Sequence, residues 1–219
     1  MNIIKKIVVI IELIIILGVF TFITKASSKD SLFCIYLDPG HGGFDGGTTC
    51  NNKEIIEKDL TLEVSLTLAS RLRSSGYIVK LTREKDEALN SSKKEDIYKR
   101  VDLINKSNAN LYISIHANSY PSTVVHGAQV FYNHTNNQNK LLAESIMKNL
   151  KIIDKTNKRQ IHVISDKYLT DHVVIPGCLV EIGFLSNPYD LANLRDKTYL
   201  NNLCEMIYLG IVEYLDYIK

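Results

Sequence analysis

Residues 33–43 read Phe-Cys-Ile-Tyr-Leu-Asp-Pro-Gly-His-Gly-Gly. Phe33–Leu37 is a short apolar run, and Asp38-Pro39-Gly40 stops it with turn chemistry, so the segment reads as a buried strand. His41 then leaves the end of that strand inside a glycine-rich turn.

Outward from this strand the pattern alternates. From about Lys58 to Ser74 apolar residues fall at Leu60, Leu62, Val64, Leu66, Leu68, Ala69 and Leu72, and Gly76 follows, which predicts an amphipathic helix with a stop. Tyr77–Thr82 reads as a strand, Glu84–Lys94 as a polar loop, and Asp96–Asn105 as a helix with Ile97, Val101 and Ile104 on one face. Leu111–His116 and Ala128–Tyr132 read as strands and Gln138–Leu150 as a helix. Cys178–Ile182 is a further strand and Tyr199–Tyr217 a closing helix. Strands alternating with helices imply an α/β fold: one domain over 31–219, a mostly parallel twisted sheet, helices on both faces.

Composition supports a folded body and excludes some functions. The 219 residues are 45% hydrophobic and 23% charged, which is ordinary for a globular domain. Lys5, Lys6, Lys25 and Lys29 against Glu12 and Asp30 carry the whole formal charge of +2, so residues 31–219 are neutral. A neutral body does not suit nucleic acid as a partner, because that binding rests on phosphate neutralisation.

Residues 1–30 read as an address. Ile7–Thr24 is an apolar run of 18 residues, interrupted by Glu12 and Thr21 and preceded by Lys5 and Lys6. That length sits at the lower edge of a membrane span, with flanking charge that fits the positive-inside rule. A cleaved signal peptide is one reading, with Ala26, Ser27 and Ser28 after the run. An uncleaved signal anchor is the other and the favoured one, since no clear A-x-A site follows. Either places the body outside the cytoplasmic membrane. Cys34, Cys50, Cys178 and Cys204 match no metal knuckle, and Cys34 and Cys178 lie in apolar strand runs. They are expected as small buried hydrophobes with no obligatory disulfide.

The chemistry gathers at strand ends. One strand ends in Asp38-Pro39-Gly40-His41, another in Ser114-Ile115-His116-Ala117-Asn118, and a late one in Val180-Glu181-Ile182-Gly183. Ligands of open α/β sheets bind outside the carboxyl ends of strands. Glu181 is a carboxylate in an apolar strand, so it needs a cation or a proton. A catalytic zinc site takes three protein ligands and keeps one position open. His41 and His116 offer two nitrogens. Glu57, opening the first long helix, is the candidate third ligand, with Glu54 as its rival.

These residues fall within DPGHGGFDGG at 38–47, IEKDLTLEVSLTLASRL at 56–72, VKLTR at 79–83, ISIHANS at 113–119 and LVEIGFLSN at 179–187. The set resembles the zinc-dependent N-acetylmuramoyl-L-alanine amidases of the type 3 family, over about residues 33–217. The resemblance implies His41, Glu57 and His116 as zinc ligands and Glu181 as the catalytic glutamate. It implies cleavage of the amide between the lactyl group of N-acetylmuramic acid and L-alanine in peptidoglycan. Arg100 matches a family arginine expected to be structural.

Two departures stand out. Asp45-Gly46 replaces the family's usual Asp-Pro, a turn change. Thr170–Pro176 lacks the arginine that many members carry, so stem peptide is expected to be recognised differently. The interval from Asn118 to Gln138 is too short for the inhibitory helix some relatives insert. No separate wall-binding module is expected, so targeting is assigned to the anchor or to an activating or targeting protein partner. A single-domain anchored form rich in Lys, Asn and Ile resembles the spore-cortex subgroup. The alternatives are another zinc hydrolase of the wall, a carboxypeptidase or deacetylase, or a non-catalytic wall-binding scaffold.

Overall fold

A computed structural model describes residues 33–50 and 55–219; the expected N-terminal membrane segment and the rival ligand Glu54 lie outside the described residues. The strands are β1 (Cys34–Pro39), β2 (Ile78–Leu81), β3 (Leu111–Asn118), β4 (Gln129–Tyr132), β5 (His162–Val163) and β6 (Gly177–Phe184). They form one sheet in the order β2-β1-β3-β6-β4-β5. β2, β1, β3 and β6 run parallel, as expected, whereas β4 is antiparallel to β6 and β5 is parallel to β4. The reversal has a simple cause. Only residues 119–128 join β3 to β4, and a parallel return needs a crossover of a dozen or more residues.

Both faces of the sheet are covered, which is why β1 is buried along its whole length. On one face α1 (Glu57–Ser74) packs over β1, β2 and β3, α3 (Asn137–Ile153) over β4 and β6, and α6 (Lys197–Tyr217) against both helices. On the other face Cys34, Tyr36 and Tyr112 pack with Val101 and Ile104 of α2 (Lys93–Asn105) and Leu169 of α4 (Tyr168–His172). A last short helix, α5 (Pro188–Arg195), joins β6 to α6. The buried stripe of α1 is Leu60, Val64, Leu68 and Leu72, one residue every four. Leu66, expected on that stripe, is exposed because it lies half a turn away.

α2 begins three residues earlier than its apolar spacing suggests. Ser92 caps it, its side chain accepting from Glu95 N, so the end of the polar stretch read as loop is helix. Cys34 and Cys178 are buried, as their apolar runs suggest, and Cys50 and Cys204 are buried as well. Residues 119–128 hold turns and bends and no helix. No helix among the described residues is long and apolar enough to cross a membrane.

The connection leaving β1 leads to β2 on one side, and the next returns to β3 on the other. The chain therefore diverges between the carboxyl ends of β1 and β3, the place where α/β sheets open a crevice.

Candidate active site

His41 follows β1 in a left-handed conformation, φ 62°, one that non-glycine residues hold only when their surroundings impose it. Two buried arginines impose it. Arg100 Nη2 donates to His41 O at 2.5 Å and its Nη1 to Pro39 O at 2.7 Å. Arg83 Nε donates to Pro39 O at 3.2 Å and its Nη2 to Gly40 O at 2.9 Å. Arg100 also pairs with Asp38 at 2.8 Å, and Asp38 accepts from Thr82 and Ser114 hydroxyls at 2.8 and 2.7 Å. Burial alone would raise the Asp38 pKa, but Arg100 and the two hydroxyls outweigh it and hold the carboxyl below its usual range. The structural role expected of Arg100 is thus specific: it holds the backbone of the histidine loop.

The side chains converge on one carboxylate oxygen. Glu57 Oε1 lies 3.1 Å from His41 Nε2 and 2.9 Å from His116 Nδ1. The same oxygen accepts from Ala117 N at 3.1 Å, and Oε2 accepts from Thr48 N at 2.8 Å. Glu57 is 4% exposed at the first position of α1, where the helix dipole favours an anion. Burial pushes its pKa up, yet hydrogen bonds from His116 and His41 prevail and set it well below the ordinary value. Asp45 Oδ2 sits 2.9 Å from His41 Nδ1 and fixes which nitrogen faces Glu57. Despite the cost of burial, Lys93 and His41 lower the Asp45 pKa to about 2.

Two glycines make the approach possible. A Cβ on Gly40 would lie 2.3 Å from the His116 ring, and one on Gly47 would lie 2.5 Å from Glu57 Oε2 and 2.7 Å from His41 Cδ2.

Glu181 enters from β6. It pairs with His116 across the β3–β6 ladder, after which the register shifts by a bulge before Asn118 and Phe184. Its Oε2 is buried with no hydrogen-bond partner among the described residues. Burial raises its pKa to about 7; Glu57 adds to the rise, and His116, His41 and Lys167 oppose it. Glu57, His41, His116 and Glu181 line a cleft of about 450 Å³, with Lys167 and Tyr168 among its other walls.

Donor atoms of His41, Glu57 and His116 all lie within 4.8 Å of one another. Two imidazole nitrogens and one carboxylate oxygen, facing a cleft and an unpartnered carboxylate, form a donor set that suits zinc in an open site. The structure brings together all four residues that the sequence singles out. Three further residues of the assembly were not singled out: Asp45, Arg83 and Thr61, whose hydroxyl donates to Gly40 O at 2.8 Å. Asp45 stands four residues after His41 in a glycine-rich turn, a spacing that could have signalled a carboxylate oriented on the ring.

Comparison with known proteins agrees with this geometry. Residues 35–213 match the Amidase_3 family, described as N-acetylmuramoyl-L-alanine amidase. The chain is 41% identical over 188 residues to a germination-specific N-acetylmuramoyl-L-alanine amidase of Bacillus subtilis, covering 82% of this chain and 78% of that one. Its fold is similar to that of the CwlD amidase from Clostridioides difficile, solved in complex with the GerS lipoprotein, with TM-score 0.82, 38% identity, and coverage of 84% of this chain and 99% of that one. It is also similar to the catalytic domain of CwlV, an N-acetylmuramoyl-L-alanine amidase from Bacillus (Paenibacillus) polymyxa, with TM-score 0.76, 29% identity, and coverage of 84% and 99%. The strand-end site and the family match lead to one conclusion: the chain belongs to the Amidase_3 family and is an N-acetylmuramoyl-L-alanine amidase acting on peptidoglycan.

Proposed function

We propose that the chain is a zinc-dependent amidase of the spore cortex, cutting the amide between the lactyl group of N-acetylmuramic acid and L-alanine. The observation that carries this reading is the meeting of His41 Nε2 and His116 Nδ1 on a single oxygen of Glu57, with the unpartnered Glu181 carboxylate beside them. His41, Glu57 and His116 would hold the zinc. When bound there, zinc polarises a carbonyl and lowers the pKa of water to about 7.

The chain's own residues supply the rest. Glu181, held in an apolar strand, takes a proton from the attacking water and returns it to the departing amine of L-alanine. Burial in the apolar strand pushes the Glu181 carboxyl up from its ordinary value, in the direction a group that both accepts and returns a proton needs. Asp45 orients His41, and the two buried arginines hold its loop so that the donors are placed before substrate arrives. Lys167, in the cleft wall, offers a cation to the stem peptide where the family's arginine is missing.

The germination-specific relative and the CwlD structure support the cortex assignment, and the latter supports a lipoprotein as a binding partner. Residues 1–30 would serve as the signal anchor that keeps residues 31–219 outside the cytoplasmic membrane. Digestion of purified peptidoglycan by the zinc-loaded chain, read by mass spectrometry, tests the reaction. Free glycan and free stem peptides are expected; shortened stems or deacetylated sugars would point to a carboxypeptidase or deacetylase instead. Pull-down of a lipoprotein from sporulating cells by the full chain tests the partner, and its failure would remove that part of the reading.

A further inference from the structure

A second cluster of titratable side chains lies apart from these residues. His126 is in the connection before β4, Asp154 ends α3, and Asp190 is in the first turn of α5. One ligand-type atom from each lies within 4.8 Å of the others. Asp154 and Asp190 are 6% and 5% exposed, and His126 Nδ1 is fully buried with no hydrogen-bond partner among the described residues.

The cluster is short of positive charge. Asp190 Oδ2 accepts from Gly127 N at 2.7 Å and Phe184 N at 2.8 Å. Asp154 Oδ1 accepts from Thr156 N at 2.9 Å and Thr156 Oγ1 at 2.6 Å. These bonds satisfy one oxygen of each carboxylate with neutral donors, and no ion pair reaches either among the described residues. The nearby cation Arg159 is close enough to Asp190 to attract it but forms no ion pair with it: its Nε donates to His126 O at 2.8 Å, its Nη1 donates to Gln129 Oε1, and its guanidinium lies over the Phe184 ring at 4.4 Å. Burial raises the Asp190 pKa and Asp154 adds to the rise, while the Phe184 and Gly127 N–H groups and His126 oppose it without cancelling it. Two buried carboxylates so close need a counter-charge.

We infer that His126, Asp154 and Asp190 form a second divalent-cation site, of the mixed nitrogen and oxygen type that takes zinc or manganese. Ligand bonds of roughly 2.0–2.2 Å would draw the three atoms together from their present spacing. The ion would tie the 119–128 connection, the end of α3 and the start of α5 into one corner. Its role is structural, since none of the three side chains lines the catalytic cleft.

Zinc counting by inductively coupled plasma mass spectrometry, on the full chain stripped with chelator and reloaded to saturation, tests the site. Wild type is expected to plateau at two equivalents. Asp154→Asn and His126→Phe are each expected to plateau at one while retaining amidase activity, and His41→Ala at one with activity lost. Zinc should raise the melting temperature of wild type more than that of Asp154→Asn. A wild-type plateau at one equivalent overturns the site without recourse to any variant. Retention of two equivalents by either folded variant overturns it as well. A count of two in His41→Ala would instead overturn the catalytic ligand set, so the two failures are distinguishable.

Discussion

His116 and Glu181 stand directly opposite one another on adjacent parallel strands. Paired positions of a ladder project to the same face, so the register alone brings the His116 imidazole and the Glu181 carboxylate to one side of the sheet. A slip of one residue in β6 would turn Glu181 to the other face and dismantle the site.

The raised pKa of Glu181 has a stability consequence for the metal-free chain. Its folded pKa of about 7 lies above the ordinary value of 4.5 because the side chain is buried. Between those values the unfolded chain loses the proton that the folded chain keeps, so stability falls as pH rises from 4.5 to 7 and then levels. Glu181→Gln removes that loss. With zinc chelated, the variant is expected to melt above wild type at about pH 8, by up to roughly 3 kcal/mol, and to match it near pH 4. Thermal melts at the two pH values decide; a variant less stable than wild type at pH 8 contradicts the assigned environment.

Replacing His41, Glu57 or His116 with Ala should remove most zinc from the catalytic site, because three donors leave no redundancy. The measurement is zinc stoichiometry together with muropeptide release. Full occupancy in Glu57→Ala would reassign the third ligand, with Glu54 the first residue to examine.

Asp45→Ala should weaken zinc binding or activity by roughly 10–100-fold, the usual worth of a group that orients a ligand. Asp45 is partly exposed, so the melting temperature should move little. A zinc titration that matched wild type would show that the loop backbone alone orients His41.

Asp38→Asn removes one of the two carboxylates paired with Arg100, Asp96 remaining at 2.6 Å, and should cost about 1–3 kcal/mol. The Asp38 pKa is held below its ordinary 3.8, so the contribution of this carboxylate is complete above that value and fades as pH falls below it. Chemical denaturation at pH 7 checks the magnitude. A loss under about 1 kcal/mol would mean that the Thr82 and Ser114 hydroxyls satisfy the site without the charge pair.

Much of this was legible in the sequence for reasons that can be traced. β1, β3 and β6 are apolar runs ended by turn residues, so both strands and site could be read at their carboxyl ends. Other signals were present and local. Ser92 and Glu95 carry the sequence of a capping box at the start of α2, where the Ser92 hydroxyl accepts from Glu95 N, and Asn187 followed by Pro188 caps and opens α5, its side chain accepting from Tyr189 N and Asp190 N. β5 has two residues and α4 five, too few for any periodicity to show. The reversal of β4 depends on connection length, and the buried Asp38–Arg100 pair joins residues 62 positions apart; neither follows from a local pattern. Asp38 reads as a turn residue in Asp-Pro-Gly, and only its tertiary partners show it to be a buried anion.

The central claim is that Glu181 moves the proton while His41, Glu57 and His116 hold the zinc. Glu181→Gln keeps size and shape but cannot accept a proton. Measured as release of stem peptides from peptidoglycan, its activity should fall by roughly 10²–10⁴-fold, with zinc stoichiometry unchanged. Wild-type release by a folded, zinc-loaded Glu181→Gln chain would contradict the account.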